Sequence, residues 1–99
     1  VNVQDVVNAN MLALTSKNAV GQVLNIGTGK ATSVNQLAKI VLRLFGKKDL
    51  QPVHSNPRPG ETKQGSYADI SKAKSVLGYD PKISLEEGIM KLAEWSKII

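Results

Sequence analysis

One tetrapeptide in this 99-residue sequence places a cation and a carboxylate three residues apart on a stiffened loop: Arg58-Pro59-Gly60-Glu61, preceded by Asn56-Pro57. The prolines restrict the backbone and the glycine lets it turn sharply. A guanidinium held on such a loop can grip a diphosphate through two parallel hydrogen bonds, and a carboxylate beside it can accept the hydroxyls of a ribose. That pair is half the equipment for holding a nucleotide-sugar. A surface turn carrying a solvated Arg58 and Glu61 has the same sequence, so these four residues alone leave both readings open.

Other strings suggest chemistry and fail on detail. Gly27-Thr28-Gly29 with Asp49 about twenty residues later imitates a dinucleotide fingerprint. The third glycine is missing, and the helix opens only at Ser33, too late for its amides to cradle a pyrophosphate. A plain turn is the better reading. Ser71-Lys72-Ala73-Lys74 matches the Ser-x-x-Lys of penicillin-binding enzymes without its companion motifs. His54, the single histidine, has no nearby acid in sequence to orient it for proton transfer and reads as the surface end of a strand. Neither Tyr67 nor Tyr79 is followed four positions later by lysine. No catalytic residue and no metal ligand set is recognisable.

The elements that must carry the Arg58 loop follow from hydrophobic period and caps. A strand tail over 1–3 leads into a helix with Asp5 in its first turn and Val3, Val7, Met11 and Leu14 on one face. A compact strand over 22–26 follows, closed by the Gly27 turn. Ser33 and Gln36 form a capping box for a helix whose apolar side is Val34, Leu37, Ala38, Val41, Leu44 and Phe45, stopped at Gly46. A short strand over 51–54 is confined by Pro52 to an edge. Asp69 can cap a two-turn helix ended by Gly78. Ser84 with Glu87 opens a last helix with Leu85, Ile89, Leu92 and Trp95 inward. The predicted fold is a small mixed α/β unit of about four helices and two to three short strands.

Composition narrows the function classes. The chain is one small domain at most, with 41% hydrophobic residues and only four aromatics. Thirteen Lys and Arg against eight Asp and Glu give a net charge of +5. The charges are dispersed and have no interleaved aromatics, so a single-stranded nucleic acid platform is not supported. No stretch approaches the roughly 20 apolar residues of a membrane span. Without cysteine there is no disulfide framework or thiolate site, and a reducing cytoplasm fits.

Taken in order, these strings resemble one family. Val1-Asn2-Val3-Gln4-Asp5-Val6-Val7, Val23-Leu24-Asn25-Ile26-Gly27-Thr28-Gly29, Ser33-Val34, Arg58-Pro59-Gly60-Glu61, Ala68-Asp69-Ile70-Ser71-Lys72-Ala73, Leu77-Gly78-Tyr79-Asp80-Pro81 and Leu85-Glu86-Glu87-Gly88-Ile89 are similar to the C-terminal third of the extended short-chain dehydrogenase/reductases. The closest likeness is to sugar-nucleotide epimerases and dehydratases of the UDP-glucose 4-epimerase type, and it extends over essentially all of the chain.

The resemblance implies a C-terminal substrate-binding lobe of a Rossmann-type enzyme over residues 1–99, with the upstream NAD-binding domain and its Tyr-x-x-x-Lys pair absent from this chain. It implies that Arg58 binds the nucleotide diphosphate of a UDP-sugar, that Glu61 lies at the nucleoside ribose and that Val34 lies against the base. NAD, held by the missing domain, would oxidise the sugar at C4 and return the hydride to the other face. The same motifs occur in 4,6-dehydratases and decarboxylases, and a non-catalytic nucleotide-binding or interaction module remains an alternative. A strand over 22–26 that is apolar on both faces would lack its neighbouring sheet here, so the isolated chain is expected to be either marginally stable or self-associated through this strand.

Overall fold

The computed structural model describes residues 1–61 and 65–97. Four helices carry the chain: α1 (Val3–Thr15), α2 (Val34–Leu44), α3 (Ser71–Leu77) and α4 (Leu85–Ser96), with a 3₁₀ turn at Lys17–Ala19. Their starts obey local chemistry. The Asn2 side chain accepts the Gln4 N–H at 2.8 Å, capping α1. At α2 the Ser33 hydroxyl accepts the Gln36 N–H at 3.1 Å while Gln36 Oε1 accepts the Ser33 N–H at 2.8 Å. Ser84 and Glu87 repeat the box at α4, at 3.1 and 3.3 Å. Each box satisfies two amides that would otherwise have no partner. Asp69 Oδ1 accepts the Ser71 N–H at 3.0 Å at the head of α3, and Gly78 ends that helix in the left-handed conformation.

The strands expected over 1–3, 22–26 and 51–54 do not form: no residue among those described is in a strand. Residues 1–2 instead lead directly into α1, whose first turn includes Val3. Residues 22–26 and 51–54 make no ladder. A strand exists only through hydrogen bonds to a neighbour, and the described residues supply no second strand paired with either one. The expected strands are thus replaced, among the described residues, by irregular segments that join the four helices.

A small core lies where α1 and α3 meet the segment that follows residue 22. Ala9, Ile70, Ala73 and Tyr79 are buried, and Leu24, Ile26, Ala68 and Leu77 pack against them. The Tyr79 hydroxyl donates to the Gly27 carbonyl at 2.7 Å inside this cluster, tying the end of α3 to the Gly27 turn. α2 and α4 pack on one another, and Arg43 of α2 approaches Glu86 of α4 at 3.6 Å on the exposed rim of that contact.

Two predicted apolar faces are not inward. On α1 the buried residues are Asp5 and Ala9, while Val3, Val7, Met11 and Leu14 are exposed. On α4 the buried residue is Ala93; Leu92 is exposed and Trp95 is 81% exposed. Helical period places residues on a common face, but burial needs a surface opposite, which these faces lack. The radius of gyration, 16.9 Å, exceeds the about 13 Å of a compact domain of this length. The principal extents of 51 × 35 × 18 Å describe a flat, open body.

Candidate functional site

Arg58-Pro59-Gly60-Glu61 closes into a turn. The Glu61 N–H donates to the Arg58 carbonyl at 3.0 Å, and Gly60 has φ +81°. Proline second and a positive-φ glycine third are the requirements of a type II turn. The Glu61 carboxylate folds back, and its Oε2 accepts the Arg58 N–H at 2.7 Å. One carboxylate oxygen is therefore engaged by the turn itself, and Oε1 accepts no hydrogen bond among the described residues. Arg58 and Glu61 are both exposed, and the guanidinium takes part in no ion pair or hydrogen bond among the described residues.

Val34 is the first residue of α2 and is 81% exposed. It does not contribute to the core face expected for that helix; a neighbouring Asn35 is reached instead by His54, whose Nε2 lies 2.9 Å from Asn35 Oδ1. The segment that carries the Arg58 turn is thereby joined to the head of α2, the element that carries Val34. His54 itself sits in an irregular segment and does not end a strand.

Two open clefts flank the loop at 28–30. One, of about 420 Å³, lies between that loop, Ile40 of α2 and the residues around Ser84. The other, of about 620 Å³, lies between the loop and Tyr67, Asp69, Ser71 and Lys74. Neither is lined by Arg58, Glu61 or Val34. Hydrogen bonds from Ser71, side chain first and then backbone, hold the Asp69 carboxyl below the usual range, so it is an anion on the wall of the second cleft. On the loop before α4, the Lys82 ammonium donates to Asp80 at 2.6 Å, which lowers the Asp80 carboxyl and raises Lys82.

The Gly27 turn is packed into the core. Gly27 is buried, its carbonyl receives the Tyr79 hydroxyl, and a Cβ there would stand 3.2 Å from the Ala68 Cβ. The capping box already occupies the Gln36 amide at the head of α2. No cluster of three or more metal-ligating side chains occurs among the described residues, and no helix there is long and apolar enough to cross a membrane.

Sequence reading missed two features. Asp5, read as a first-turn acid, is the largest of the fully buried side chains, and Tyr79 is a buried hydrogen-bond donor. The Leu77-Gly78-Tyr79 string offered a faint signal for the second, since a helix stop followed at once by an aromatic folds that ring back onto the helix. Nothing local distinguished Asp5.

No family model matches the chain. Individual relatives do. A Methanocaldococcus jannaschii protein assigned as a UDP-glucose 4-epimerase is 44% identical over 97 residues, 98% of this chain and 30% of that protein. A UDP-glucuronate 4-epimerase of Thermodesulfobacterium geofontis is 42% identical over 77 residues, 77% of this chain and 23% of that protein. The crystal structure of UDP-glucose 4-epimerase with UDP-glucose from Thermotoga maritima matches with a TM-score of 0.82 at 43% identity, over 97% of this chain and 30% of that one. The chain thus spans less than a third of the length of the proteins it matches. Across almost all of its own length it shares the sequence pattern and the fold of a stretch of these nucleotide-sugar 4-epimerases.

Proposed function

We propose that the chain is the C-terminal, substrate-binding region of a UDP-sugar 4-epimerase, an isomerase in its full-length form. The observation that carries this reading is the closed Arg58–Glu61 turn with its guanidinium unengaged, in a chain 43% identical to a structural neighbour solved with UDP-glucose. In this reading Arg58 grips the diphosphate bidentately. Glu61 accepts ribose hydroxyls through Oε1, because Oε2 is held by the turn. Val34, exposed at the head of α2, offers an apolar surface to the base.

The contribution of these residues is grip without chemistry. Contacts to the nucleotide hold the substrate while the sugar turns over between its two faces, and they act equally on both epimers. NAD, when bound, supplies oxidation at C4 and return of the hydride. In this proposal it is held by an upstream Rossmann domain outside these 99 residues, and the setting is cytoplasmic. Isothermal titration of the full-length protein with UDP, beside a coupled assay for C4 epimerisation of UDP-glucose, tests the reading. Saturable heat and turnover are expected from the full-length protein, and no turnover from the 99-residue chain. A full-length protein without affinity for UDP overturns it.

A further inference from the structure

The segment that carries Arg58 is exposed at every residue from 46 to 61. Its own hydrogen bonds are local: Leu50 N–H to Lys47 O at 3.1 Å, Glu61 N–H to Arg58 O at 3.0 Å, and Arg58 N–H to Glu61 Oε2 at 2.7 Å. These bonds shape the segment without placing it. At its root Gly46 N–H donates to Arg43 O at 3.2 Å and Lys47 N–H to Leu42 O at 2.8 Å, closing the end of α2. Beyond that root, among the described residues, one hydrogen bond leaves the stretch from 48 to 61 for the folded body, from His54 to Asn35, nineteen positions away in sequence.

Asn35 Oδ1 can only accept, so the proton of this bond is on His54 Nε2. Asn35 is the second residue of α2, a helix whose start is fixed by the Ser33–Gln36 capping box. His54 is therefore fastened to a rigid point. Only three residues separate it from Arg58, a reach of at most about 14 Å, and one of them is Pro57. The Arg58 turn cannot wander far while the bond holds, and among the described residues no other hydrogen bond ties the stretch from 48 to 61 to the folded body when it is cut.

We propose that the His54–Asn35 hydrogen bond is a clasp that positions the Arg58 turn beside the head of α2 for a nucleoside diphosphate, with His54 acting as a positioning residue. This rests on the assignment of Arg58 to the diphosphate. A released segment must be ordered again each time ligand binds, and that entropic cost is charged to affinity. The Arg58 contact persists from ground state to transition state, so the loss appears in KM and leaves kcat in place.

The test is steady-state kinetics of the full-length enzyme with UDP-glucose, together with thermal melting. His54→Ala and Asn35→Ala should each raise KM about three- to tenfold, the range set by one net hydrogen bond. kcat and Tm should stay at wild-type values, since the segment contributes nothing to the core. The double variant should be no worse than either single one, because both remove the same bond. His54→Gln, with an amide N–H in reach of the same acceptor, should recover most of the affinity. Unchanged KM in His54→Ala, beside a raised KM in Arg58→Ala, overturns the clasp and leaves the diphosphate assignment standing. Multiplying effects in the double variant overturn the clasp as well. Unchanged KM in Arg58→Ala overturns the diphosphate assignment and the clasp with it.

Discussion

The Asp5 carboxylate accepts the backbone N–H of Lys82 at 2.9 Å across 77 positions of sequence, and its second oxygen accepts the N–H of Ile83 at 3.1 Å. Asp5 is 1% exposed. A charge is buried here because both of its oxygens receive donors, the condition under which a buried carboxylate is tolerated. The two bonds fasten α1 to the loop that leads into the Ser84 capping box, and so set where α4 begins.

Removing that carboxylate leaves two part-buried amides without partners. Asp5→Ala should destabilise the protein by about 2–3 kcal/mol, the range for hydrogen bonds to charged groups. Asp5→Asn should keep one of the two bonds but still destabilise, because its NH2 group would face the other backbone N–H donor to donor. Urea unfolding followed by circular dichroism measures both; an Asp5→Ala variant as stable as wild type refutes the fastening role.

Tyr79 tests the core. Burial pushes its phenol above the ordinary 10.0, and the neighbouring Asp5 and Asp80 carboxylates push the same way. The folded state thus favours the neutral phenol, whose contribution is complete below pH 10 and is lost as pH rises through the higher folded value. Tyr79→Phe should cost about 1–2 kcal/mol at pH 7 by stranding the Gly27 carbonyl. The gap between wild type and Tyr79→Phe should narrow above pH 10. Comparing the pair separates the phenol from Lys82, which titrates in the same window. A gap that stays constant from pH 7 to 11 contradicts the assignment.

Arg58 tests the binding proposal in the full-length enzyme. Arg58→Ala should weaken UDP binding by about 1.5–3 kcal/mol, or roughly 10- to 150-fold. Arg58→Lys should restore little, since an ammonium cannot reproduce two parallel donors. Titration calorimetry reads both, and a loss of less than twofold in Arg58→Ala rules out the diphosphate contact.

The open faces of the fold lead to a prediction for the isolated chain. Val3, Val7, Met11 and Leu14 on α1, Val23 at 84% exposure and Trp95 on α4 present more apolar surface than a solitary domain tolerates. The 99-residue chain should associate as its concentration rises, while the capped helices α2 and α4 persist. Size-exclusion chromatography with light scattering checks the first point and amide exchange the second. A monomer at every concentration shows that the uncovered faces are benign.

Local chemistry was legible in the sequence. The capping boxes at Ser33 and Ser84, the stop at Gly78 and the Arg58–Glu61 turn all formed, because each is decided within a few residues by donors and acceptors the backbone already places together. The family resemblance was legible for a similar reason: ordered short strings at fixed spacing survive in one dimension.

Tertiary structure alone decided burial and pairing. A run such as Val23-Leu24-Asn25-Ile26 reads as a strand, yet its hydrogen bonds must come from elsewhere, and none of the described residues provides them. The stripe from Val3 to Leu14 reads as a core face, yet the core formed on the opposite side of α1, where Asp5 found two amides and Ala9 met Tyr79 and Ala73. His54 carried no local sign of its role, because its partner Asn35 lies nineteen residues away and only the fold brings the two within 2.9 Å. Periodicity determines which residues share a face; what lies opposite that face is settled only when the chain has closed on itself.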